Sequence, residues 1–465
     1  MREWAVALLA GAGLLGCASG PNYQAPAANV DAALLFAATK AGTAAGEPVA
    51  VFWRQFNDPL LNQLVEQALK ANADVKVAQA RLQEARANAG AAQAELLPSV
   101  GTAASVARTD PVGPGGADNN FAANATFNWE LDFFGRNRRA SESAAALVQA
   151  GEAGVHAAQV LVSAEVVRNH LERRGLQLRL QVAEESLRNQ RENLRLVEVR
   201  EQLGRGTPLD VARARALVDS TEALLPALQG GMERAALRLG TLTAQRPSAI
   251  TQQLAAPQLL PLLAPTDLGQ LAAGTPEALL QRRPDVRTAE RQLAAATANI
   301  GVARADLFPR ISLTGLLGFS SNRLADLLQG DSRTSSLGAG LTWNALDFGR
   351  LRARIDASEA RTQQALAVYE QTVQTAIEET EGALSLNRRT VEQTDRLASA
   401  ARNAEEAARL ARIRFEGGAT DFLSVLDAER SVLQARDALV QAQVGSVTSL
   451  VAVYRALGGG WMPAP

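Results

Sequence analysis

The stretch Asn120-Phe121-Ala122-Ala123-Asn124-Ala125-Thr126-Phe127-Asn128-Trp129-Glu130-Leu131-Asp132 decides the fold. Its odd positions are Phe121, Ala123, Ala125, Phe127, Trp129 and Leu131, and its even positions are polar apart from Ala122. A period of two puts successive side chains on opposite faces, so this is a strand with one apolar and one polar side. Trp129-Glu130-Leu131-Asp132-Phe133-Phe134-Gly135-Arg136 returns as Trp343-Asn344-Ala345-Leu346-Asp347-Phe348-Gly349-Arg350, an offset of 214 (135 to 349). Before the second copy, Leu337, Ala339, Leu341 and Trp343 again alternate with Ser336, Gly338, Gly340, Thr342 and Asn344. Upstream, Ala94-Glu95-Leu96-Leu97-Pro98-Ser99-Val100 returns as Ala305-Asp306-Leu307-Phe308-Pro309-Arg310-Ile311, an offset of 211 (98 to 309). Downstream, Leu209-Asp210-Val211 falls on Leu423-Ser424-Val425, again 214 (209 to 423). Ordered matches over three segments define two tandem copies of one architecture.

Two further strands are expected. Ile311, Leu313, Leu317 and Phe319 form the apolar face of one, and residues 99–108, small and polar, form the other. Each is roughly ten residues long, enough to cross a hydrocarbon core when tilted. Gly-, Pro-, Ser- and Asp-rich loops lie at 109–119 and 321–335. A soluble sandwich would also alternate, but so few strands cannot bury both sheet faces or close a barrel, and their edges would stay unpaired. Three chains together would supply about twelve strands, enough to enclose water. In that arrangement Phe127, Trp129 and Trp343 are candidate membrane-interface anchors.

The rest reads as helix. From Arg136 to about Gln202 there is no proline, and Arg350 to Glu416 repeats that length, so each would run about 100 Å at 1.5 Å per residue. Leu176, Leu180, Ala183, Leu187, Leu194 and Val197 fit a coiled-coil seam, and Leu397, Ala401, Ala404, Ala408 and Ala411 a narrower one. The long helices end at Gly204 and Gly206, and at Gly417 and Gly418, where a left-handed cap is favourable. Thr207 then caps a new helix with Pro208 in its first position and Asp210 closing a box-like pattern. Shorter helices over Leu60–Leu96, Pro208–Gly240, Pro276–Asp306 and Thr420–Leu457 would stack end to end beside the long ones. The class is all-α with a small membrane β-barrel portion.

Composition removes most alternatives. The 465 residues carry 47 basic and 48 acidic side chains, a net charge of −1, so nothing suggests nucleic acid as a partner. One cysteine and two histidines, His156 and His170, give no basis for a disulfide, a metal cluster, a cofactor or a histidine triad. Adjacent carboxylates such as Glu184-Glu185, Glu378-Glu379 and Glu405-Glu406 diverge on a helix and read as solvated faces, unsuited to acid–base catalysis. No enzyme activity is expected. At the N-terminus Arg2 precedes an apolar run from Trp4 to Leu15, too short to span a bilayer, which leads into Leu14-Leu15-Gly16-Cys17.

These residues carry a resemblance. Gly16-Cys17 resembles a bacterial lipobox, although Leu15 stands where a smaller residue is commoner. Cys17-Ala18-Ser19-Gly20-Pro21-Asn22-Tyr23-Gln24-Ala25-Pro26, Trp53-Arg54-Gln55-Phe56-Asn57-Asp58-Pro59-Leu60, Ala73-Asp74-Val75, Arg283-Pro284-Asp285-Val286 and Tyr454-Arg455-Ala456-Leu457-Gly458-Gly459-Gly460-Trp461 look like the lipoprotein (OprM/NodT-type) branch of the TolC-like outer-membrane factors. The resemblance implies a homotrimer with a twelve-strand barrel in the outer membrane of a Gram-negative bacterium and a twelve-helix periplasmic tunnel. It implies lipidation of Cys17, Ala18 favouring outer-membrane sorting. It also implies service as the exit duct of a tripartite efflux pump, docked to a periplasmic adaptor fed by an inner-membrane RND-type transporter.

By the same resemblance the gate falls on Leu423 and Asp427, one helical turn apart on one face. Three copies would form an apolar ring beside an anionic one. Arg213 stands in the first copy where Asp427 stands in the second, so gating is assigned to the second. The hairpin tips, Gly204, Arg205, Gly206 and Thr207 with Gly417, Gly418, Ala419 and Thr420, are candidate adaptor contacts or simply turn chemistry. The expected organisation is a signal peptide at 1–16, a lipidated extended segment at 17–58, repeat 1 at 59–240, a linker at 241–275, repeat 2 at 276–457 and a tail at 458–465. The exit channel of a type I protein secretion system, which shares the architecture, and a periplasmic coiled-coil tether without a pore remain as alternatives.

Overall fold

A computed structural model describes residues 19–26, 51–110, 118–255 and 282–459. Cys17, the signal segment, most of the expected 241–275 linker and the last residues of the tail lie outside the described residues. Two compact units are present. One comprises Met1–Ala27, Ala80–Gly154 and Asp285–Thr372, and the other Ala28–Gln79, Val155–Pro284 and Val373–Pro465. The units are not the two sequence copies, since each takes part of both.

The first unit holds a four-stranded antiparallel sheet in the order β1-β2-β3-β4, with β1 Ser99–Thr109, β2 Asp118–Leu131, β3 Arg310–Ser321 and β4 Arg333–Thr342. The central register sets Phe127 opposite Gly315 and Trp129 opposite Leu313, joining a strand of the first copy to one of the second. Odd positions of β2, β3 and β4 share a face with the even positions of β1, for example Phe127 with Val100 and Ile311 with Leu341. That face is apolar from Phe121 to Leu131 in β2, from Ile311 to Phe319 in β3 and from Leu337 to Leu341 in β4, as the alternation requires. β1, with Val100, Thr102, Ala104 and Val106, contributes less to it.

Helices enter and leave the sheet through matching elbows. Pro98 and Pro309 lack the N–H that would prolong the preceding helices. The indole N–H of Trp129 donates to the Leu96 carbonyl at 3.1 Å, and that of Trp343 donates to Leu307 at 3.0 Å. Phe134, after β2, stacks on Phe308, before β3, with ring centroids 4.6 Å apart. The N-terminal strap, residues 19–26, docks beside these elbows. Its Ser19 N–H donates to the Phe134 carbonyl at 3.2 Å, and the buried Arg139 guanidinium donates to Ser19 O and Asn22 Oδ1. A Cβ at Gly301 would lie 2.6 Å from Ser19 O, so only glycine lets the strap approach.

The remaining elements are helices, divided between the two units. α1 Pro59–Ala71 and α2 Ala73–Ala94 are separated at Asn72, whose side chain accepts from Asp74 N at 2.8 Å and donates to the Leu242 carbonyl at 3.0 Å. α3 Arg136–Gln202 is one unbroken helix of 67 residues, and α4 Pro208–Glu222 and α5 Leu224–Leu242 follow, then α6 Pro247–Gln253. The expected single helices over 60–96 and 208–240 are thus each split. In the second case Pro226 would clash with the carbonyl of Glu222, where α4 stops. In the second copy, α7 Pro284–Ala305, α8 Arg350–Glu416 and α9 Phe422–Ala456 repeat the plan.

The main core gathers Phe52, Trp53, Phe56, Leu61, Leu64, Val166, Val167, Leu239, Ile250, Leu254, Leu450, Val451 and Tyr454. Phe52 stacks on Tyr454 at 5.0 Å. Asp58 caps α1 through the N–H groups of Leu60 and Leu61, and His170 lies 2.7 Å from its other oxygen, both side chains buried. Burial raises the Asp58 carboxyl, but the His170 hydrogen bond and charge and the two backbone N–H groups outweigh it and hold the group below the usual carboxylate range. Among the described residues no helix is long and apolar enough to cross a membrane.

Candidate functional site

The two hairpin tips are built from one sequence pattern and close with one geometry. After α3, Gly204 takes φ 68 and Arg205 N–H donates to the Arg200 carbonyl at 2.8 Å. After α8, Gly418 takes φ 72 and Ala419 N–H donates to the Arg414 carbonyl at 2.8 Å. A left-handed glycine followed by this long backbone bond ends a helix and satisfies its last carbonyls. The caps that follow are chemically exchanged. Thr207 caps α4 with Asp210 as its partner, both bonds of the box at 3.2 Å, whereas Asp421 caps α9 and accepts from Ser424 N–H and hydroxyl. Helix α9 therefore begins at Phe422, with Thr420 left in the turn.

Behind the tips Val197, Ala214, Leu217, Phe415, Phe422, Val425 and Leu426 form a separate apolar cluster, with Phe415 under the Arg200 guanidinium at 4.3 Å. Leu423 and Asp427 are directed away from it. Leu423 is 37% exposed and Asp427 is exposed, with the Arg430 guanidinium 3.8 Å away. Their pairing on one face is geometry that a single copy leaves unpartnered.

Three charged contacts tie α9 to the long helices, and the reading of solvated carboxylates missed them. Glu429, buried on the stripe Phe422, Val425, Leu426, Glu429, Leu433, accepts from Arg412 at 2.6 Å and from Asn193 at 3.4 Å. Arg436 donates to Glu405 at 2.5 Å and to Glu185 at 3.2 Å. Arg179 and Asp437 form a two-pronged pair at 2.6 and 3.1 Å. Glu379, another carboxylate expected to be merely solvated, accepts from the buried Arg283 at 2.7 Å. For Glu429 a signal existed, because a carboxylate sitting on an apolar helical stripe needs a partner.

In the first unit the site elements are the sheet edges. β1 and β4 end the sheet, so among the described residues of one subunit their outer N–H and C=O groups have no strand partner. Phe127 and Trp129 are half-buried against neighbouring strands, while Trp343, at the end of the edge strand β4, is 55% exposed. Among the described residues no cluster of His, Cys, Asp and Glu could hold a metal ion.

Known proteins match this arrangement along nearly its whole length. The family model for outer membrane efflux proteins matches residues 64–245 and again 275–459, once per copy. The pyoverdine export outer membrane protein OpmQ of Pseudomonas aeruginosa is 33% identical over 436 residues, covering 90% of this chain and 90% of that one. The toluene efflux pump outer membrane protein TtgI of Pseudomonas putida is 32% identical over 456 residues, covering 96% of each. Among solved structures the outer-membrane channel OprN superposes with a TM-score of 0.89 at 41% identity, covering 96% of this chain and all of that one. With both sequence copies matched and the strand–helix plan shared, the chain belongs to the outer membrane efflux protein family, the TolC-like outer-membrane factors.

Proposed function

We propose that this protein is the outer-membrane exit duct of a tripartite efflux pump, conducting small molecules passively to the exterior as a homotrimer. The observation that carries this reading is the sheet: among the described residues, four strands of 10 to 14 residues, apolar on one side, polar on the other, open at both edges. Joined edge to edge, three copies would supply about twelve strands, with the polar faces on water and the apolar faces on lipid. Trp129 and Trp343 at the strand ends suit the bilayer interface. The helices of three copies would wall the periplasmic tunnel, and its end would be narrowed by three Leu423 and three Asp427 side chains. Acyl chains on Cys17 would anchor the strap in the membrane. The tips around Gly204–Thr207 and Gly417–Thr420 would meet the periplasmic adaptor, which an inner-membrane RND-type transporter feeds. Relatives named for pyoverdine export and toluene efflux favour small-molecule cargo over protein secretion.

The test is reconstitution of the purified protein in planar bilayers. Discrete conductance steps, with light scattering giving three copies per particle, are expected. A stable monomer in detergent, or a bilayer that stays silent at every voltage, overturns the duct.

A further inference from the structure

The internal duplication turns a contact inside one chain into a template for a contact between chains. Within the sheet, β2 of the first copy pairs with β3 of the second, and the elbow beyond β2 lays Phe134 on Phe308 with planes 9° apart. The offset of 214 carries Trp129 onto Trp343 and Phe134 onto Phe348. The offset of 211 carries Pro309 back onto Pro98 and Phe308 onto Leu97. The counterpart of the stacked Phe134–Phe308 pair is therefore Phe348 with Leu97. These two residues flank the two edge strands and both are exposed within one subunit, Phe348 at 99% and Leu97 at 66%. Phe348 also holds φ 52, a left-handed conformation that a residue with a side chain adopts only at a cost. A large apolar ring held in solvent on a strained backbone is poised for a partner.

We propose that β4 of one copy adds to β1 of the next in a register copied from β2 and β3, locked by Phe348 packing on Leu97 of the adjacent copy. The register follows by shifting each known pair. Phe127 opposite Gly315 becomes Leu341 opposite Ala104 of the next copy, and Trp129 opposite Leu313 becomes Trp343 opposite Thr102. Ser336 to Thr342 then lies along Thr109 to Ala103, within the observed limits of both strands. A second observation, independent of the offsets, agrees. The apolar face is odd-numbered in β4 and even-numbered in β1, so a closed wall must pair odd with even, which Leu341 with Ala104 does. A slip of one residue would turn Leu341 to face alongside Ala103 or Ser105 on the polar side. The inference rests on the trimeric reading above and adds to it the register and the residues that lock it.

The test is cross-linking in the full-length protein, with Cys17 as the sole native cysteine. Residues directly opposite bring Cβ atoms to about 4.5–5.5 Å, and diagonal ones only to about 7–8 Å, so disulfides report register. L341C/A104C should form covalent multimers under mild oxidation about tenfold faster than L341C/T102C or L341C/V106C, with each single-cysteine variant as control. Faster linking of an off-register pair, in particles that light scattering shows to be trimers, overturns the register and leaves the trimer standing. Monomers by light scattering, with no linking in any pair, overturn both. F348A should raise the monomer fraction at a fixed dilution about tenfold, with F348L close to wild type, because the ring is 99% exposed within its own subunit and its loss is felt between subunits. An unchanged monomer fraction for F348A removes the lock.

Discussion

Arg412 donates to Glu429 at 2.6 Å, joining α8 to α9 just above the second tip, with the carboxylate buried and the guanidinium half in water. Taking away the carboxylate leaves Asn193 and Arg412 without their shared acceptor. Solvent reaches Arg412, so the loss falls at the modest end for a charged hydrogen bond. Glu429→Leu should lower stability by about 1–2 kcal/mol, read by thermal unfolding, and should raise baseline conductance by loosening the tip. A variant with unchanged midpoint and unchanged conductance would show that the pair holds nothing.

The gate assignment makes a separate prediction. Leu423→Ala with Asp427→Ala removes side chains that one copy leaves exposed, so the fold should survive with a change in midpoint within about 0.5 kcal/mol. Single-channel conductance should rise, and cation preference should fall with the loss of the anionic ring. Intact trimers with wild-type conductance would clear both residues of that role.

Asp58 predicts how stability depends on pH. Its folded carboxyl lies below the ordinary value, so the stabilisation is complete above the unfolded value near pH 4 and fades as pH falls through the folded value below it. Asp58→Ala should cost about 1–2 kcal/mol at pH 7, from the lost cap and the loss of His170's partner. The gap between variant and wild type should shrink in acid, below about pH 4. Urea unfolding at pH 7 and pH 3.5 measures it, and a gap that stays constant would refute the linkage.

Gly301→Ala tests the strap. The added methyl would meet Ser19 O at 2.6 Å and the Arg139 side chain at 2.7 Å, and neither can yield without breaking the contacts that hold residues 19–22. Cleavage by limiting protease near residues 19–26 should accelerate about tenfold while the sheet remains folded. Equal cleavage rates would show that the strap tolerates the intrusion.

What the sequence by itself determined is everything that period and repetition encode. The alternation from Asn120 to Asp132 marks a two-faced strand. The proline-free run over Arg136–Gln202 suits one uninterrupted helix. The glycines at both tips mark left-handed caps, and the doubled motifs mark two copies of one family plan. Each of these depends on neighbours within a few residues, or on one segment compared with another. What only the tertiary structure decided is partnership: β2 beside β3 across the two copies, two units that each draw on both repeats, and Asn72 ending one helix and capping the next. Glu185 and Glu405 likewise appear in the sequence as ordinary helical carboxylates, and even for Glu429, which stands on an apolar stripe, only the stagger of the helices decides that Arg412 is the partner, as it decides Arg436 for the other two. Periodicity reports which face of an element is covered, whereas a salt bridge depends on the axial position of one helix against another, a quantity set by the packing of the whole core.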